Sequence, residues 1–94
     1  SKMRNWKDIK NDLLQDPEVK AEYDRLDPEF RLASMLIEAR TKAGLSQEQL
    51  AQRMGMKQAG VARIESGRYN PSMKTLQRYA EATGHKLQIN MEPQ

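Results

Sequence analysis

The 94-residue sequence predicts an all-α fold that ends in a short C-terminal β-strand. Three observations carry this expectation. Glycines follow segments of helical apolar spacing, acidic and seryl caps precede such segments, and beyond Gly84 the apolar period shortens to two.

In chain order, a first helix is expected near residues 4–14. Asp16-Pro17-Glu18 and Asp27-Pro28-Glu29 then each supply an N-cap acid, a proline at the first helical position and a second acid beside the positive end of the helix dipole. They predict helices over 17–25 and 28–43. Ser46 and Gln49 have the spacing of a capping box, and Leu45 before the cap can meet Leu50 as a hydrophobic staple, so a helix is expected over 46–54. Another follows over 58–66. Asn70-Pro71-Ser72 gives a turn and a cap for a helix over 72–83 that carries Leu76, Tyr79, Ala80 and Ala82. Gly44, Gly55, Gly67 and Gly84 stand behind these segments, where a left-handed residue ends a helix. After Gly84, Leu87, Ile89 and Met91 alternate with Lys86, Gln88 and Asn90. A lone strand leaves its backbone donors and acceptors unpaired, so a second copy or a different partner is expected to complete a sheet. The chain thus divides into a helical N-terminal extension (1–27), a helical domain (28–84) and a C-terminal strand and tail (85–94).

Composition narrows the function classes. Cysteine is absent, which excludes disulfides and cysteine-based zinc sites. The single histidine, His85, has no second His or Cys to share a metal, and there is no glycine-rich phosphate loop. No enzyme activity, metal or cofactor is expected. Apolar runs stop at Met35-Leu36-Ile37, too short for a membrane span or a signal core, so a cytoplasmic setting without membrane contact is expected. Residues 1–30 hold six Lys/Arg against eight Asp/Glu, whereas residues 31–94 hold ten against five. A basic surface for a polyanion and an acidic surface for another partner would account for that asymmetry.

Residues 47–66 contain a helix-turn-helix spacing. Such a unit needs a small residue in its first helix, a left-handed turn residue and an apolar anchor in its second helix. Ala51, Gly55 and Val61 fill these roles, while Leu50, Met54 and Ile64 extend the inward stripe. Gln58, Ala59, Ala62, Arg63 and Ser66 then point outward, with Lys57 at the entry. Gln can bond the N7 and N6 of adenine, Arg can fork onto guanine O6 and N7, and Ala permits close approach or meets a thymine methyl. Gln58, Ala59, Ala62 and Arg63 are the candidate base readers. Gln47, Gln49, Lys57, Ser66, Arg68 and Lys74 are the candidate phosphate contacts. Gly60 costs the second helix about 1 kcal/mol relative to Ala, for a reason the sequence leaves open.

The segment RTKAGLSQEQLAQRMGMKQAGVARIESGRYNPSMKTLQRYAEATG, with its A-G-L-S-Q, E-Q-L-A, R-I-E-S-G and N-P-S…T-L elements, resembles the Xre/Cro-type family of helix-turn-helix domains. The resemblance covers about residues 30–84. It implies a five-helix, phage-repressor-like domain that binds double-stranded operator DNA as a homodimer, with the 28–43 helix first. It also implies an internal ion pair between Arg40 and Glu65, which removes both from the base-contact set. Lys57 departs from the family pattern, which often has Ser or Thr as the cap of the second helix.

The flanking segment LLQDPEVKAEYDRLDPEFRLASMLIEAR and the terminal strand resemble HigA-type antitoxins of toxin-antitoxin operons. This resemblance implies a chain that represses its own promoter and neutralises a RelE/HigB-like ribonuclease toxin. A protein that handles RNA is expected to be basic, which suits an acidic antitoxin segment. Asp16, Glu18, Glu22 and Asp24 could meet its cationic groups, with Trp6, Leu13 and Tyr23 as anchors. Leu87, Ile89 and Met91 are candidates for dimerisation. Two other readings stand beside this one: a stand-alone phage-type repressor, favoured less by the acidic extension, and a helical adaptor that reads no DNA, favoured less by outward Gln58 and Arg63.

Overall fold

A computed structural model describes residues 15–94, which hold five α-helices: α1 (Pro17–Arg25), α2 (Pro28–Lys42), α3 (Gln47–Met54), α4 (Gln58–Ile64) and α5 (Met73–Ala82). Four of them lie between residues 28 and 84, and α1 belongs to the extension that precedes them. The helix expected over 4–14 lies outside the described residues, as do Trp6 and Leu13.

The starts follow from side-chain caps. Asp16 and Asp27 each accept a hydrogen bond from the backbone N–H two residues on, at 2.9 Å, with Pro17 and Pro28 opening the helices. Ser46 and Gln49 form a reciprocal box: Ser46 Oγ accepts from Gln49 N at 3.0 Å, and Gln49 Oε1 accepts from Ser46 N at 2.9 Å. Ser72 Oγ accepts from Thr75 N at 3.1 Å to open α5. Helix α4 alone among the last four has no side-chain cap, since Lys57 at its N-cap lacks an acceptor.

Helix α3 ends on Gly55 at φ +65°, and the N–H groups of Gly55 and Met56 close onto the carbonyls of Gln52 and Ala51. This left-handed reversal sends α4 back across α3. Ala51 and Val61 are buried at that crossing, and Leu36, Leu50, Met54, Ile64 and Tyr79 complete the core. Truncating a fully buried residue such as Leu50 would cost about 2–5 kcal/mol. Two arginines tie helix ends together. Arg53 Nη1 donates to Ala82 O at 3.2 Å, and Arg78 Nη2 donates to Met54 O, so α3 and α5 each satisfy a terminal carbonyl of the other.

A buried carboxylate locks these layers. Glu65, the residue on which α4 ends, has a side chain 2% exposed and accepts four hydrogen bonds: two from Arg40 (2.8 and 3.0 Å), one from Gln47 (3.1 Å) and one from the Tyr79 hydroxyl (2.6 Å). The Tyr79 oxygen also lies 2.7 Å from Leu36 O, and its single proton is drawn to the charged acceptor. Arg40 spends a further donor on Leu45 O at 2.8 Å, in the turn between α2 and α3. Burial alone would raise the Glu65 pKa; the bonds from Arg40, Tyr79 and Gln47 outweigh it and hold the carboxyl below its usual 4.5. Arg40 is raised by its bond to Glu65, and Tyr79 is raised chiefly by burial.

The loop after α4 is held by Gly67, a buried residue at φ +76°. A Cβ there would run into the ring of Phe30 in α2, a side chain exposed enough to move aside, so it is the backbone angle that requires glycine. At Gly60, a Cβ would meet only the terminal methyl of Met56, a flexible neighbour that can yield.

The expected C-terminal strand is not formed. Residues 85–94 run without regular structure, and no strand occurs among the described residues. The helices satisfy their own backbones, so one chain offers this segment no edge to pair with. Leu87 is half-buried beside a groove of about 150 Å³ between α2 and α5, whereas Ile89 and Met91 are exposed (61% and 91%).

Glu65→Gln or Arg40→Met should destabilise the fold by about 3–5 kcal/mol, because each leaves a buried polar partner unpaired; denaturant melts report the loss. Because the folded pKa of Glu65 lies below its unfolded value, its contribution is complete above about pH 4.5 and is lost as pH falls through the folded value. Wild-type stability should therefore drop more steeply below pH 4.5 than that of Glu65→Gln, and parallel pH profiles would contradict the assignment. Gly67→Ala should cost at least about 1 kcal/mol, read as a lower denaturation midpoint.

Candidate nucleic-acid interface

The two faces of α4 are sharply different. Val61 and Ile64 are buried, while Gln58, Ala59, Ala62 and Arg63 are exposed, so all four candidate base readers stand on the outer face of the second helix. The split follows from anchoring: the core holds Val61 and Ile64 on one side, and Glu65 is bonded to α2, α3 and α5 just beyond them. A helix fixed in this way can enter a major groove without reorganising its own scaffold.

The candidate phosphate contacts divide into free and committed groups. Lys57, Arg68 and Lys74 are exposed, respectively at the entry of α4, in the following loop and in the first turn of α5. Gln49 uses its carbonyl oxygen to cap α3, which leaves its amide donors available. Gln47 is half-buried and spends one amide donor on Glu65 at 3.1 Å. Its second donor is the one that could reach a phosphate. Ser66 differs most from its expected role. Its hydroxyl donates to Arg63 O at 2.7 Å and accepts from Arg68 N at 3.1 Å, so its only proton is used to close the end of the helix.

One participant is not evident from the motif. The Arg63 guanidinium lies over the ring of Tyr69, 4.5 Å from its centroid. Tyr69 is partly buried and packs on the core from the loop after α4. The signal available in the sequence was an aromatic residue inside a Gly-Arg-Tyr-Asn-Pro turn, in a chain with only five aromatic residues (one Trp, three Tyr, one Phe).

On the extension, α1 buries none of its residues. Glu18, Glu22 and Asp24 are exposed, and Val19, Ala21 and Tyr23 are half-buried. Asp16 is engaged as the α1 cap; Lys20 pairs with Asp24 at 2.9 Å and Arg25 with Glu22 at 2.6 Å, all at the surface. Exposed pairs of this kind contribute about 0–1 kcal/mol each and yield readily to another charged partner. An open depression is lined by Glu18, Val19, Ala21, Glu22 and Arg25. Among the described residues no helix is long and apolar enough to cross a membrane, and no acidic or histidine cluster could hold a metal ion.

Comparison with known proteins agrees with this geometry. Residues 36–88 match the Helix-turn-helix family. An uncharacterised HTH-type transcriptional regulator of Haemophilus influenzae is 33% identical over 90% of this chain and 83% of its own length. Antitoxin HigA1 of Mycobacterium tuberculosis is 35% identical over 85% of this chain, which spans about half (54%) of that relative. Among solved structures, a toxin-antitoxin module from Streptococcus pneumoniae superposes with a TM-score of 0.53 at 30% identity, covering 96% of this chain and 94% of that one. These relatives are regulators and antitoxins rather than enzymes. The chain belongs to the Xre-type helix-turn-helix family of DNA-binding regulators, and its relatives include a HigA-type antitoxin.

Proposed function

We propose that this chain is a dimeric, sequence-specific antitoxin that represses its own operon and neutralises a RelE/HigB-like ribonuclease toxin. The observation that carries DNA reading is the outer face of α4, where Gln58, Ala59, Ala62 and Arg63 stand exposed on a helix anchored through Val61, Ile64 and Glu65. Gln58 and Arg63 are the hydrogen-bonding readers, and the two alanines let the helix approach the bases. Lys57, Arg68, Lys74 and the free amide donors of Gln47 and Gln49 fix register on the phosphates. Ser66 contributes by shaping the helix end.

The toxin is assigned to residues 1–27, where exposed acidic side chains sit on α1, none of whose residues is fully buried. Glu18, Glu22 and Asp24 suit a basic partner, Asp16 adds charge at the cap, and Tyr23 with Trp6 and Leu13 supply apolar contact. Support comes from the names of two relatives, a HigA1 antitoxin and a toxin-antitoxin module. Dimerisation is assigned to the tail, where exposed Ile89 and Met91, with half-buried Leu87, can meet a second copy through apolar contact.

Arg63→Ala should cost about 1–3 kcal/mol on the selected site and relax preference at one base position, measured by binding to duplexes varied one base at a time. Lys74→Ala should weaken selected and random duplexes alike and reduce the salt slope by about 1. A slope that stays put excludes Lys74 from the phosphate contacts. Co-expression with the adjacent reading frame should relieve toxicity and co-purify its product, and deletion of residues 1–26 should abolish both while DNA binding survives. Retained rescue moves the toxin site elsewhere; DNA binding without any toxic neighbour favours the stand-alone repressor.

A further inference from the structure

The arginine assigned to base reading does not project alone. Its guanidinium lies over the Tyr69 ring, 4.5 Å from the centroid, and Tyr69 is itself seated on the core between buried Gly67 and buried Pro71 on either side in the chain. Gly67 takes a left-handed turn at φ +76°, and Ser66 Oγ donates to the carbonyl of Arg63 at 2.7 Å and accepts from Arg68 N at 3.1 Å, closing the loop's start. The platform under the guanidinium is therefore seated against the core, although it comes from a loop outside the recognition helix.

An arginine free in solvent has four rotatable side-chain bonds to freeze when it docks, and that loss subtracts from affinity. A cation held by an aromatic face loses less. Contact through the ring also leaves the N–H groups of the guanidinium without an acceptor among the described residues, available for a forked bond to guanine O6 and N7. We propose that Tyr69 is a positioning residue for DNA readout, holding Arg63 in its reading pose before DNA arrives and thereby setting specificity at the base that Arg63 contacts. The proposal rests on the DNA-reading assignment of Arg63.

The test uses the full chain, duplexes selected from a randomised pool by the wild-type protein, and Tyr69→Leu, Tyr69→Phe and Arg63→Ala with the double variant Arg63→Ala/Tyr69→Leu. Tyr69→Leu should weaken binding to the selected duplex about two- to five-fold, the equivalent of a surface cation–π contact. It should also narrow the discrimination at the single base that Arg63→Ala relaxes. Tyr69→Phe, which keeps the ring, should restore both. In the Arg63→Ala background the Tyr69→Leu change should have no further effect. In the free wild-type protein the Arg63 side-chain N–H resonance should show a ring-current shift, a readout that holds even if the leucine variant folds poorly.

Absence of that shift overturns the proposal. So does Tyr69→Leu binding as well as or better than wild type, Tyr69→Phe losing as much as Tyr69→Leu, or a Tyr69→Leu loss that persists without Arg63. If Arg63→Ala itself binds and discriminates like wild type, the reading of Arg63 fails and takes this proposal with it. A clear Arg63→Ala effect beside a silent Tyr69→Leu overturns this proposal alone.

Discussion

The Glu65 carboxylate is the constraint on which the domain depends. It stands where α4 ends, and every bond it accepts comes from another helix: Arg40 of α2, Gln47 of α3 and Tyr79 of α5. An ion of this kind is costly to bury, and it is tolerable only because its acceptor sites are all filled. The requirement works in reverse as well. Any shift of one helix against the others strips a donor from a buried charge, so the network selects one relative placement of all four helices. Apolar packing around Leu50, Val61 and Ile64 supplies attraction, but attraction between greasy faces tolerates many registers. The carboxylate removes that tolerance at the point where the recognition helix ends.

Rigidity of the scaffold explains how polar groups are shared out around α4. Those that could be mistaken for spare surface donors are partly consumed: the Ser66 proton by the helix end, one Gln47 donor by Glu65, the Gln49 oxygen by the capping box. Among the described residues, what stays uncommitted around α4 is a set with distinct chemistry: the amide of Gln58, the remaining amide donors of Gln47 and Gln49, the cations Lys57, Arg68 and Lys74, and the Arg63 guanidinium resting on Tyr69. The turns around the helix are built from interactions that leave this set alone.

Much of the helical frame was legible in the sequence because its signals are local. Asp-Pro-Glu triplets, the Ser46 to Gln49 spacing and glycines behind apolar periods each act within one turn of chain, and the helix boundaries agree with them to within about two residues. The inward and outward faces of α4 were legible for the same reason. What was hidden depends on contacts distant in sequence. Nothing local links Phe30 to Gly67, Arg78 to the carbonyl of Met54, or the Tyr79 hydroxyl to Glu65, pairs that stand 37, 24 and 14 positions apart. Ser66 was assigned outward by helical phase, yet its hydroxyl turns back to the chain because a serine at a helix end can satisfy carbonyl and amide together. The alternation at Leu87, Ile89 and Met91 specifies which side chains share a face, but a strand also requires an adjacent backbone, and periodicity carries no information about whether one is present.

Helix α1 has nine residues, none of them fully buried and none in the core cluster, although Val19, Ala21 and Tyr23 are half-buried; caps and surface ion pairs support it locally. Its exposed acidic face, Glu18, Glu22 and Asp24, therefore lies apart from the residues of the core. Sequence drift along this face can change the charge it presents without repacking the core, much as one handle can be exchanged for another on the same key.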